Sequence, residues 1–309
     1  MTTKAYGRNA ILLGAFETTP GTAPADGYTQ LPFVSSTVGG ERPIIAADIR
    51  NGSREPVAGL PGHLEVGGDV VAPLCVNASG FWLKSIFGAP TTTGTGPFTH
   101  VFESGGSPAP VTLEIGHPDV GKFRRNTFLV ADKLTLARKG DDAAQLNMTV
   151  SFRGADEAVA GTTIDSAPAS LPLKRVPVLT GTVTLDGAPL GSVVGFSLDY
   201  TNAVSVVREF GRIDVAEGDA TLAGTVTIRF DGTTLESVAG TGSPVTITFT
   251  QQIDASNCIA FAVHGTLNSP KAAIEGPAGI EKTFSLSGCR QADGGPMLTA
   301  TLVNTVASY

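Results

Sequence analysis

The feature that most limits what this chain can fold into is a pattern that occurs twice, at a constant offset of 156 residues. Gly62 falls opposite Gly218, Val66 opposite Leu222, Gly68 opposite Gly224 and Val70 opposite Val226. Each segment then enters a short amphipathic stretch that ends at glycine. Leu83, Ile86 and Gly88 in the first copy match Leu235, Val238 and Gly240 in the second. That spacing predicts one helical face closed by a glycine C-cap. Further on, 98–102 is matched with 245–249, 133–137 with 283–287, and 146–152 with 298–304. These stretches alternate, which turns one set of side chains to a core and the other to a second surface.

Val and Thr runs broken by 38 Gly and 20 Pro fit many short strands joined by turns. The predicted class is therefore all-β with minor α: two tandem β-sandwich or barrel folds from an internal duplication, each with one short flanking helix. The expected organisation is an arm at 1–32, a first β domain at 33–160, a Pro-rich linker at 161–180 and a second β domain at 181–309. Within the linker, Pro168, Pro172 and Pro177 remove backbone donors and favour an extended path.

Charge narrows the function. Only 16% of residues are charged, against roughly 25% in ordinary domains, which suits a protein with much surface buried against copies of itself. The net charge is -7, and a nucleic-acid binder would need a basic stripe to replace phosphate counterions. Lys122-Phe123-Arg124-Arg125 and Arg138-Lys139 are too short to serve as one. An acidic wall would instead leave a polyanion free to slide.

Cys75, Cys258 and Cys289 are odd in number and widely spaced, so a disulfide framework is not expected, and a reducing compartment is. The start lacks a signal-peptide h-region, and no stretch approaches ~18 uninterrupted apolar residues.

No constellation for catalysis, cofactor or metal emerges. His63, His100, His117 and His264 lack metal-binding spacing, and there is no Cys-x-x-Cys. His117, before Pro118, is expected to shape a turn. Asp141, Asp142 and Asp254 lack the EF-hand pattern and read as turn carboxylates. Neither a nucleophile elbow nor a phosphate loop occurs. Trp82, with Phe81, Leu83 and Phe87 around it, is expected in the core.

Several motifs belong together: Ala5-Tyr6-Gly7-Arg8-Asn9-Ala10, Phe16-Glu17-Thr18-Thr19-Pro20-Gly21, Gly80-Phe81-Trp82-Leu83-Lys84, Pro97-Phe98-Thr99-His100-Val101-Phe102 and Leu113-Glu114-Ile115-Gly116-His117-Pro118. Together they resemble the longer tail tube proteins of siphophages and related prophages over most of the first half. Over the second half the likeness rests on the duplicated pattern and on Glu275-Gly276-Pro277-Ala278-Gly279-Ile280.

The resemblance implies a tube-forming structural protein of a long non-contractile tail, assembled in the host bacterial cytoplasm. Its inner strands would form one barrel per ring, and genomic DNA would pass without specific binding. Further partners would be the tape measure protein and the tail terminator and distal tail proteins, with no cofactor and no membrane. Related single-fold proteins form hexameric rings, so two folds in one chain imply a trimeric, pseudo-hexameric ring, with a true hexamer as the alternative. The arm suits contacts between rings through Tyr6, Ile11, Leu13, Phe16 and Tyr28, with Leu12 beside them. The loop at 44–61 and its counterpart at 202–217 suit the same role. Glu65, Asp69, Thr225 and Thr227 are lumen candidates. The competing function is a carbohydrate-binding adhesin at the tail tip or cell surface, disfavoured because aromatics are only 6% and sit at apolar-patterned positions.

Overall fold

Alternation in sequence becomes strands with one buried face. Leu298–Asn304 buries every second residue, and Asn257–Leu267 does so over eleven. The computed structural model describes residues 4–50, 52–139, 145–177, 181–229, 234–271 and 279–309. Asp141 and Asp142, Phe230, Gly232 and Thr233, and Glu275 to Ala278 lie outside the described residues.

The first half opens with a 3-10 turn, Gly7–Asn9, and strand β1, Ile11–Phe16. Short strands β2 (Thr29–Gln30), β3 (Ser35–Ser36) and β4 (Gly39–Glu41) precede an excursion hairpin, β5 (Ile44–Ala47) and β6 (Val57–Pro61). Strand β7 (Glu65–Pro73) leads into helix α1 (Ser79–Phe87), and a second hairpin follows, β8 (Thr91–Thr93) and β9 (Phe98–Glu103). Then come β10 (Val111–His117), the long β11 (Lys122–Lys139), β12 (Asn147–Gly154), β13 (Asp156–Ala160) and β14 (Ala169–Ser170).

The second half begins with β15 (Gly181–Leu185), β16 (Ala188–Pro189) and β17 (Val193–Thr201). Its own excursion hairpin is β18 (Ser205–Glu209) and β19 (Arg212–Ala216), followed by β20 (Thr221–Arg229) and helix α2 (Thr234–Thr241). It ends with β21 (Val245–Asp254), β22 (Asn257–Leu267), β23 (Glu281–Gly288) and β24 (Leu298–Asn304). The class is all-β with minor α.

One large sheet crosses both halves. Its order is β3 and β4, β7, β12, the second part of β11, β17, β20, then β23. Two layers cover it. Over the first half lie β14, β2, β1, β10, the first part of β11, and β13. Over the second lie β16, β15, β21, β22, β24, β9 and β8, so the β8–β9 hairpin of the first half completes the layer of the second. Strands β11 and β22 each pass from a covering layer into the large sheet, as corner strands of packed sheets do. Among the described residues no ladder joins β4 to β23, so the large sheet stays open within the chain.

The two halves share register as well as order. Glu41 stands opposite Glu65 as Thr201 stands opposite Thr221, and Ser36 opposite Val70 as Phe196 opposite Val226. Asn147 faces Pro73 as Glu281 faces Arg229. In the hairpins, Ile45 faces Leu60 as Ser205 faces Ala216. The ladders thus match β10 with β21, β11 with β22, β12 with β23 and β13 with β24. This corrects the sequence-based matching downstream of the helices. Among the described residues the β8–β9 hairpin has no counterpart in the second half, and it shifts every later strand by one place.

Between the layers sits a single continuous apolar cluster drawn from both halves. Helix α1 lies inside it, with Phe81, Trp82, Leu83, Ile86 and Phe87 all buried. Phe16 packs on Phe81 at 4.6 Å, and Trp82 meets Phe152 at 6.1 Å between ring centres. In the second half Phe196 of the large sheet stacks on Phe249 of the covering layer at 4.3 Å. Gly88 closes α1 with φ 87 and donates its N–H to the Lys84 carbonyl, as predicted. Helix α2 runs on past Gly240 to Thr241, and Gly242 takes the left-handed conformation instead.

The proline-rich crossing is tied down along its length. Ala169 and Ser170 pair with β2. The Val76 N–H donates to the Lys174 carbonyl, and the Val176 N–H to the Leu74 carbonyl.

Candidate assembly surfaces

The outer face of the large sheet is built by both halves: β3, β4, β7, β12 and the second part of β11, then β17, β20 and β23. Val66, Val70 and Ala72 point into the core, which turns Glu65 and Asp69 outward; Val226 and Ile228 do the same for Thr225 and Thr227. All four lumen candidates therefore share this face, although the chain separates them by some 156 residues. Around them the face is mostly hydroxyl. Ser197 and Thr225 hydroxyls lie 2.7 Å apart, and Thr227 and Thr283 2.9 Å.

Two ion pairs lie on this face. Lys133 lies 2.9 Å from Asp199, and Arg153 3.1 Å from Asp132. Burial works against ionisation of Asp199, but hydrogen bonds from Lys133 and Thr135 outweigh it and hold the carboxyl below its usual range. The face combines hydroxyl dipoles and short-range ion pairs with the exposed carboxylates of Glu65 and Asp69.

The two excursion hairpins form separate two-stranded sheets, and they differ in what they touch. The β18–β19 hairpin is seated on the first half. Val204 and Val215 are buried against Val130 and Ala155, with Val206 and Phe128 alongside, and Arg208 donates to the Leu64 carbonyl at 2.5 Å. Its turn carries the fully exposed Phe210. The β5–β6 hairpin joins no apolar cluster; Ile44 and Leu60 are each 70% exposed, with Ile45 and Ile49 also open. Stranded apolar side chains at this density mark an interaction surface.

The arm departs from expectation. Residues 11–16 pair with β10 along their whole length; Leu12, Leu13 and Tyr28 are buried in the chain's own core. Ile11 and Phe16 are half-buried, and Phe16 lies under Lys84. These side chains are used inside the fold, which leaves Leu13 and Tyr28 no surface to offer a neighbouring ring. Tyr6 keeps 55% of its surface. Its segment is held by Asp119, which accepts from the Tyr6 N–H at 3.0 Å and Asn9 Nδ2 at 2.9 Å.

The remaining motif residues are structural joints. Glu17 accepts from the Gly21 N–H, the Thr112 hydroxyl and the Phe128 N–H, fixing Phe128 at φ 51 beside the bend of β11. Buried Glu114 pairs with Arg125 at 2.6 Å and accepts from Thr163 and Ile164. His100 is buried between the Thr92 hydroxyl and the Val306 carbonyl, both at 2.8 Å. The carbonyl can only accept, so the proton sits on Nε2. Asp254 accepts from the Ser256 N–H and Asn257 Nδ2 within a turn. Among the described residues no group of three or more His, Cys, Asp or Glu could hold a metal ion, and no helix is long and apolar enough to cross a membrane.

A hydroxyl-faced sheet open at both ends, two projecting hairpins and charged residues committed to joints define the class: a structural β-protein. The model of the phage tail tube protein family matches residues 7–288, and the chain belongs to that family. The match spans both halves, including the second, where the sequence motifs are sparse. No curated protein matches the chain. Membership makes it a structural component of the virion tail that assembles with its own copies and other tail proteins into a tube.

Proposed function

We propose that three copies close into a pseudo-hexameric ring, that rings stack into the tube of a long non-contractile tail, and that genomic DNA passes along the hydroxyl-rich face. The observation that carries this is the contribution of both halves to that face, where β3/β4, β7 and β12 hold the same register as β17, β20 and β23. A chain built this way supplies two of six positions, and three chains supply all six. The duplication and the two-part division at 33–160 and 181–309 belong to the same reading. So does assembly in the host cytoplasm alongside tape measure, terminator and distal tail proteins.

The chemistry suits passage without adhesion. Stable DNA binding needs cations free to displace counterions, and here Lys133 and Arg153 are already held by carboxylates. Stacking between rings would use Tyr6 and the exposed hairpin side chains Ile49 and Phe210.

Negative-stain imaging of purified protein at high concentration tests the reading. Rings or tubes with an open channel are expected; a persistent monomer would refute it.

A further inference from the structure

We propose that the joint between neighbouring copies in a ring repeats the joint already formed between the two halves of one chain. The proposal rests on the tube reading above and assigns its lateral contact. Inside the chain, seven residues of β17 from Gly195 to Thr201 pair with Lys133 to Lys139 of β11. The β18–β19 hairpin, which follows β17, seats Val204 on the bend of β11.

The first half carries the same inserting parts, met on that side by Glu157, which accepts from the Gly40 N–H at 2.9 Å. By the shared ladders, 35–41 corresponds to 195–201, and Ile44 to Val204. Val204 is 5% exposed and Ile44 is 70% exposed. The side of 35–41 away from β7 pairs with no strand among the described residues.

The second half carries the receiving parts without an occupant among the described residues. Lys133 lies opposite Ser151; Asn268 lies opposite Ser285, whose N–H it accepts at 2.6 Å and whose carbonyl it reaches at 3.0 Å. Asn268, Ser269 and Lys271 are exposed. The Ala155 N–H donates to the Thr127 carbonyl at the bend of β11, and the Cys289 N–H donates to the His264 carbonyl at the bend of β22. Beside Cys289 a groove of about 720 Å³ opens, walled by Phe87, Gly288 and Met297.

The occupant is a second copy of this chain. Its 38–41 edge adds to residues 268–271, and its Ile44 enters beside Cys289. Transferring the internal register, Thr201 against Lys133, sets Glu41 of one copy against Asn268 of the next. Directly opposed Cβ atoms in an antiparallel pair are about 5 Å apart, within reach of a short cross-linker.

The test uses the full chain with Glu41→Cys and Asn268→Cys together, assembled, imaged and treated with a short bis-maleimide. The native cysteines serve as background, measured in the unsubstituted protein. Covalent products are expected to grow only as far as a closed trimer. Thr37→Cys with Asn268→Cys, about four residues out of register, is expected to stay uncross-linked. A separate Ile44→Asp chain is expected to keep its melting temperature and fail to close rings. Tubes that form with no Glu41–Asn268 product, or with efficient Thr37–Asn268 product, would overturn this joint while leaving the tube reading intact. Absence of tubes from the unsubstituted protein would refute the tube reading and the joint with it.

Discussion

The two excursion hairpins are the same device in two environments. Both leave the large sheet after the strand that precedes β7 or β20, and both keep one register. The second is clamped by Val204 and Val215 onto the first half, while the first holds Ile44, Ile45 and Leu60 in solvent. The difference lies in what each finds within reach. The β18–β19 hairpin meets the first half of its own chain, whereas the β5–β6 hairpin meets no apolar cluster among the described residues. An apolar surface stranded this way is the expected signature of a repeated unit whose first member is served by another molecule.

The sharpest way to break that comparison is to place a charge at equivalent positions. Val204→Asp buries an unpaired carboxylate and is expected to cost the isolated chain more than about 4 kcal/mol. Ile44→Asp is expected to change it by less than about 0.5 kcal/mol. Denaturant titration of both variants measures the contrast. Equal losses would mean that the first hairpin is also seated within the chain.

The helices offer a second contrast. Trp82 is fully enclosed in α1, and Trp82→Ala is expected to cost about 3–5 kcal/mol. In α2 only Leu235 and Ala239 are buried, and Leu235→Ala is expected at the low end of the range for core leucines, about 2–3 kcal/mol.

What the sequence conveyed follows from the same physics. The 156-residue offset is carried by glycines and apolar residues that set β7 against β20. The strands beyond α1 were matched one place out. Alternating Val and Thr strands look alike, and sliding a whole strand preserves the pattern. Only the partners across each ladder separate β12 from β13. Residues 11–16 read as part of an arm because Gly, Thr and Pro surround them, although Ile11-Leu12-Leu13 is the continuous apolar run of a strand buried on both faces. The lumen candidates fall on one face because period-two alternation survives without knowing which strands are neighbours. The exposed hairpin residues carried no sequence mark, since Ile44 and Val204 look equally suited to a core.

Alkaline titration sharpens the comparison more gently. Burial pushes the Tyr28 phenol up to about 12 and also raises Tyr200 and Tyr309, so the first half carries one such group and the second half two. An unfolded tyrosine ionises near 10, so between pH 10 and 12 the folded state holds protons that the unfolded state releases. Stability should fall across that window. Tyr28→Phe is expected to flatten the decline, followed by melting temperature against pH.

The smallest effect is expected where the halves touch in solvent. Lys133–Asp199 is more than a third exposed on both sides, so Asp199→Asn should cost no more than about 1 kcal/mol. Because Asp199 is held below its usual range, its contribution is present above pH ~4 and is lost as the carboxyl protonates on acidification. A larger loss, read in the same denaturant titration, would make this pair a principal clamp between the halves.

The most direct measurement is a cryo-EM reconstruction of the assembled tube. Three chains per ring are expected, with the hydroxyl-rich face toward the channel and the density between Glu41 and Asn268 of adjacent copies repeating the β11–β17 pairing within each copy. A ring of six chains, or a second half displaced to the outside of the tube, would contradict the account.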